Sequence, residues 1–222
     1  MRLAVFTHSS KNLLLGGWLI VTTLAAGCGS NKTAGEDKPQ GFPAAQASTE
    51  ELPTAVNLNY ANWKQFPEGT VVTRVKTTKN AQDWVKETTT LKLLHCSSEK
   101  VLVESQVTVE RPNYETKINP GATIEFPASF KLPKGLTSEQ IQAPSLRAKN
   151  AGVEKLQVLN KSCQATVFIW EDGTESGPMV NKAWYVDTIP GRIARQEMQV
   201  EQKGFSALEE VVAIVIPGPN AR

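Results

Sequence analysis

From Asn57 onward, apolar and polar residues alternate with a period of two through most of the chain. Val101–Glu110 is the cleanest stretch, with Val101, Val103, Ser105, Val107 and Val109 on one side. Leu102, Glu104, Gln106, Thr108 and Glu110 take the other side, the signature of a half-buried strand. Thr-rich Trp84–His95 precedes it, and Cys96-Ser97-Ser98-Glu99-Lys100 joins the two as a predicted hairpin. Further strands are predicted at Thr70–Thr78, Ala122–Phe126, Gly152–Leu159, Cys163–Trp170, Lys182–Val186, Arg192–Lys203 and Leu208–Ile216. Turns are expected at Glu171-Asp172-Gly173 and Ile189-Pro190-Gly191. A short helix is predicted over Asn57–Phe66, ended by Pro67-Glu68-Gly69, and one helical turn at Ser138–Ile141 in the irregular section Pro127–Pro144. Many strands without a long helical pattern predict a mainly β domain at 57–222 built on an antiparallel sheet. That sheet is either a strongly curved, open half-barrel or a sandwich.

The pattern ahead of Asn57 differs. Residues 29–56 are rich in Gly, Ser, Ala, Pro and charge, have one aromatic, Phe42, and show no periodicity. Such a segment cannot bury enough apolar area to order itself, so residues 28–56 are read as a flexible, disordered tether. Before it, Leu13–Ala26 is an uncharged, mostly apolar run behind Arg2 and Lys11. A bilayer span needs about 20 helical residues, and this run is shorter, as in the core of a secretory signal peptide covering 1–27.

The run ends Leu24-Ala25-Ala26-Gly27-Cys28, which resembles a bacterial lipobox. That resemblance implies cleavage between Gly27 and Cys28 and diacylglycerol on the Cys28 sulfur, with palmitate among the acyl chains of the anchor and Ala25, Ala26 and Gly27 as the small positions that admit the peptidase. The large aliphatic of the family usually sits three residues before the Cys, where this chain has Ala25 and places Leu24 one earlier. The implied location is the cell envelope, the chain anchored to a membrane and facing the periplasm. Gly29, where enteric-type retention uses Asp, favours the outer membrane.

A second resemblance rests on Lys182-Ala183-Trp184-Tyr185-Val186-Asp187 with Ile189-Pro190-Gly191-Arg192-Ile193-Ala194-Arg195-Gln196-Glu197, and on the opening Asn62-Trp63-Lys64-Gln65-Phe66-Pro67-Glu68-Gly69-Thr70. These stretches resemble segments of uncharacterised planctomycete lipoproteins and secreted proteins. More distantly they are similar to the periplasmic lipoprotein-carrier half-barrels, in which such a hairpin belongs to a wrapped antiparallel sheet over an apolar groove. The resemblance implies architecture and no particular activity.

Charge adds an exclusion. The 24 basic and 22 acidic residues balance once Arg2 and Lys11 leave with the signal. The basic residues are dispersed, so no nucleic-acid footprint is expected. Of two histidines, His8 lies in the signal and His95 stands alone, too few for a His-built zinc site, and no cofactor motif occurs. Asp187 with Glu197 is the one conceivable carboxylate pair, and no enzyme activity is expected. Arg195 and Glu197 share a strand face, which predicts a solvated charge ladder.

Cys96 and Cys163 are the thiols left in the body. In an oxidising compartment they either form a disulfide, worth roughly 4 kcal/mol for a loop of about 66 residues, or stay separate and buried. Trp84, Trp170 and Trp184 all fall in predicted strands and are the candidate ligand face, or else plain core. The expected role is non-enzymatic binding of a lipid or other apolar ligand. The alternative is an envelope interaction module without a pocket, meeting a partner protein.

Overall fold

The computed structural model describes residues 52–80, 83–175, 177–200 and 204–218. The expected signal peptide, Cys28 and the expected tether up to residue 51 lie outside the described residues. Nine strands form one sheet in the order β5-β4-β3-β2-β11-β10-β9-β8-β7. They are β2 (Val71–Lys79), β3 (Trp84–Cys96), β4 (Lys100–Glu110), β5 (Lys117–Pro127), β7 (Lys149–Val158), β8 (Lys161–Thr174), β9 (Gly177–Tyr185), β10 (Ile193–Val200) and β11 (Phe205–Val215). Every ladder is antiparallel. The sheet is single and open, with β5 and β7 at its edges, so of the two expected architectures it is the curved sheet and not the sandwich. Register shifts at Leu93/His95, Ser105/Val107, Asn150/Gly152, Ile193/Arg195 and Val211/Ala213 bend it, as bulges do.

Every ladder of this sheet joins strands consecutive in sequence except β2–β11, which joins its first strand to its last. Two meanders, β2 to β5 and β7 to β11, are thus joined at their inner strands. The chain between β5 and β7 runs from one edge of the sheet to the other. It carries β6 (Ser129–Lys131) and α2 (Ser138–Gln142), the latter closed by a capping box between Thr137 and Gln140. β6 pairs with β1 (Thr54–Val56). That strand lies within the segment expected to be tether, so the ordered body starts before Asn57. Three residues have no periodicity to read, and their order comes from the partner strand.

Helix α1 (Leu58–Trp63) begins at Asn57, whose Oδ1 accepts from the backbone N–H groups of Asn59 (3.0 Å) and Tyr60 (3.4 Å). Gly69, at a left-handed φ of 85°, completes the reversal into β2. The helix inserts Tyr60 and Trp63 into the main core with Val72, Leu93, Val101 and Val103, all fully buried except Tyr60 at 6% exposure and Trp63 at 1%. From the other arm Ala165, Val167, Trp184, Val186 and Ile189 join the same core.

Glu171-Asp172-Gly173, expected as a turn, is strand instead: β8 runs on to Thr174, and Asp172 pairs with Met179. The Asp172 carboxylate is occupied across the ladder, accepting from Trp170 Nε1 at 2.9 Å and Asn181 Nδ2 at 3.2 Å. A side chain satisfied this way has no need of a turn.

Candidate functional site: two clefts flanking a hairpin tip

β7 and β8 pair down to Val158↔Lys161, whereas β8 meets β9 only from Thr166↔Tyr185 onward. The tip of the β7–β8 hairpin therefore projects past the end of β9. Its two-residue turn, Leu159 (φ 49°) and Asn160 (φ 65°), has both residues in the left-handed region, as a tight hairpin of matching twist requires. Asn tolerates that backbone; a Leu there is strained.

Two clefts flank this tip, with Val158 and Leu159 in the walls of both. The first, about 340 Å³, is apolar. Phe66 after α1, Ile189 and Pro190 of the β9–β10 turn, and Ile214 and Ile216 at the end of β11 face Val158 and Cys163, with Lys161 and Thr188 as its polar members. The second, about 360 Å³, is mixed: Leu156, Gln157 and Asn160 of the hairpin face Ala194 and Arg195 of β10 and Glu210, Val211 and Val212 of β11. Both volumes fall within the range of small-molecule sites.

The floor of the apolar cleft is fixed by Asn62 of α1, 2% exposed. Its Nδ2 donates to the carbonyls of Asp187 (2.7 Å) and Ile189 (3.0 Å), and its Oδ1 accepts from the N–H of Gly191 (2.7 Å). Three bonds from one side chain thus hold the turn that carries Ile189 and Pro190. Gly191, at φ 75°, lies so close to Arg74 Nη2 that an added Cβ would come within 2.6 Å of it. The buried Arg74 donates to the Gly191 carbonyl at 3.1 Å and lies 4.0 Å from Glu209, while its Nε has no acceptor among the described residues. Burial lowers the pKa of this guanidinium, partly offset by Glu209. Burial likewise pushes the Tyr185 phenol above its ordinary value, against the pull of Arg192 and Arg74.

Beside the mixed cleft, Trp184 is enclosed by charge. Its Nε1 donates to Glu154 at 2.8 Å, and Lys182 and Arg195 lie over its ring at 4.6 Å and 5.3 Å. Lys182 donates to Glu154 at 2.9 Å, and Arg195 bonds Glu197 and approaches Glu210 at 3.4 Å. The Lys182 bond first, then that of Trp184, holds the Glu154 carboxyl below the usual carboxylate range. The Arg195–Glu197 pairing expected from their spacing is present.

The three tryptophans do not make a common face. Trp84 is exposed at the start of β3 and Trp170 is buried. Trp170 lies opposite Asn181, and Trp184 is three residues beyond Asn181, so the two indoles point to opposite sides of the sheet. None of the three lines either of these two clefts. Cys96 and Cys163 are both free, half-buried thiols, the second of the two alternatives; Cys163 faces the apolar cleft, and Cys96 ends β3. Asp187 pairs with Arg192 at 2.9 Å and Glu197 with Arg195, so the two carboxylates serve separate ion pairs. His95 pairs with Glu68 at 2.9 Å, both more than half exposed. Among the described residues no group of three metal-ligating side chains occurs, and no helix is long and apolar enough to cross a membrane.

No family model matches the chain, and no curated protein does. Among solved structures, a Bacteroides fragilis protein assigned as exported, with a YmcC-like fold, is similar at 11% identity and a TM-score of 0.45 over 68% of this chain and 97% of its own. A Parabacteroides distasonis protein assigned as a lipoprotein is similar at 9% identity and a TM-score of 0.41 over 72% and 99%. An outer membrane lipoprotein-sorting domain from Vibrio parahaemolyticus is similar at 10% identity and a TM-score of 0.24 over 73% and 93%. At these values the likenesses assign neither family nor activity.

Proposed function

We propose that this chain is a lipid-anchored lipoprotein of the cell envelope that binds a lipid or similar apolar ligand without catalysis. The observation that carries the binding is the apolar cleft of about 340 Å³ beneath the β7–β8 hairpin, walled by Phe66, Val158, Ile189, Pro190, Ile214 and Ile216. Its apolar walls favour an acyl chain, and Lys161 and Thr188 offer contacts for a polar end. The anchor rests on Leu24–Cys28, and Gly29 favours an outer-membrane, periplasm-facing position. Three acyl chains on the anchoring Cys28, at about 0.8 kcal/mol per buried methylene, hold a protein durably where one chain does not. A role in catalysis finds no support in Asp187 and Glu197, each committed to its own arginine.

Native mass spectrometry of the full chain from envelope extract tests the binding. Co-purifying lipid is expected, and its loss in Ile216→Asp assigns it to the cleft. A ligand-free chain, or lipid retained equally in that variant, overturns the reading; a co-purifying protein would point instead to the interaction module. Labelled palmitate must enter the wild type and not Cys28→Ser.

A further inference from the structure

We propose that the two clefts are one bipartite site for a single zwitterionic phospholipid, with the acyl tail in the apolar cleft and the head group in the mixed one. This rests on the reading of the apolar cleft as a lipid site and adds the class of head. The two clefts share Val158 and Leu159 in their linings, so both border the hairpin tip. Leu159 keeps a large side chain at a left-handed turn position where Asn or Gly would sit without strain. Strain of this kind persists at ligand clamps and switch regions.

The chemistry of the two clefts is complementary to an amphiphile. One offers apolar walls. The other offers Gln157, Asn160, a guanidinium and a carboxylate. Arg195 and Glu210 are register partners on β10 and β11, 3.4 Å apart. A purely anionic head would meet Glu210, with Glu197 close behind, and a purely cationic one would meet Arg195. A phosphate joined to an ammonium group satisfies both. The Arg195 Nη groups reach Glu197 and Glu210 at the edge of the cleft. Arg195 Cζ lies 5.3 Å from the centre of the Trp184 ring, within cation–π reach.

Competition titrations of the full chain against a bound fluorescent fatty acid test this, using palmitate, lysophosphatidylglycerol and lysophosphatidylethanolamine below their micellar concentrations. The ethanolamine lipid is expected to bind about tenfold more tightly than either other probe, the scale of one charge-assisted hydrogen bond. Glu210→Gln should remove its margin over the glycerol lipid and leave palmitate unchanged. Ile216→Asp, at an exposed position that leaves the core intact, should weaken all three. Equal affinity for the three probes, or equal losses for all three in Glu210→Gln, overturns the bipartite site and leaves the apolar cleft standing. No binding of any probe by the wild type overturns both.

Discussion

Asn62 offers a sharp test of how the apolar cleft is built. Replacing it with Ala removes two donors and one acceptor at once, freeing the carbonyls of Asp187 and Ile189 and the N–H of Gly191. Each intramolecular hydrogen bond contributes about 0.5–1.5 kcal/mol net, and groups left unpaired in a buried site cost more, so the loss should be about 3 kcal/mol. With a urea dependence of about 2 kcal/mol per molar, the unfolding midpoint should fall by about 1.5 M. Tryptophan fluorescence reads the transition, since Trp63 lies one residue from the substitution and is fully packed. Asn62→Asp sharpens the test. It is nearly isosteric and keeps the acceptor for Gly191, but it turns a carboxylate oxygen toward two carbonyls. It should be at least as damaging as Ala at neutral pH. A midpoint shift below about 0.5 M for Ala, or an Asp variant as stable as wild type, would refute the claim that three bonds hold this turn.

Other consequences follow from the same structure. Leu93→Ala, at a fully buried position, should cost about 2–5 kcal/mol, read as a lowered urea midpoint with unchanged slope. Gly191→Ala should destabilise by at least about 1 kcal/mol, since it places a Cβ against Arg74 in a left-handed backbone; a neutral effect would contradict that contact. Burial raises the Tyr185 pKa above about 10, so the stability tied to its neutral form is present below pH 10 and is lost as pH rises through the folded-state value. Unfolding midpoints at increasing alkaline pH should therefore fall less steeply in Tyr185→Phe than in wild type. Glu154 behaves in the opposite sense: its pKa is depressed, so its contribution is present above the ordinary carboxylate value of about 4.3 and is lost as pH falls through the lower folded value. A carboxyl NMR titration should place its midpoint below that of an ordinary exposed glutamate.

The strands were legible because their burial is one-sided: in β4 Val101 and Val103 are fully buried while Glu104 and Gln106 are exposed, as the alternation requires. Helix α1 was legible from its Pro67-Glu68-Gly69 breaker and α2 as the turn at Ser138–Ile141, while the caps, Asn57 and Thr137, came from the structure. What sequence could not supply is register. Trp170 and Trp184 look alike in their strands, yet the Trp170↔Asn181 pairing sends them to opposite sides. Nor could it supply the clefts, whose walls join Phe66, Val158, Ile189 and Ile214 from four distant points of the chain. Leu159-Asn160 was the nearest available signal: a turn at the end of a strand carrying a Leu where a small or polar residue fits best.

The pairing of β2 with β11 also dictates an order of events. The central ladder cannot be laid down until the final stretch of polypeptide has emerged, because its two halves come from opposite ends of the folded region. Until then the Val-rich margin of β2 stays uncapped, a template for association with other chains. Folding should accordingly be slow for the protein's size, as topologies dominated by distant contacts are. A nascent molecule stalled before β11 would display that margin to whatever chaperone attends it.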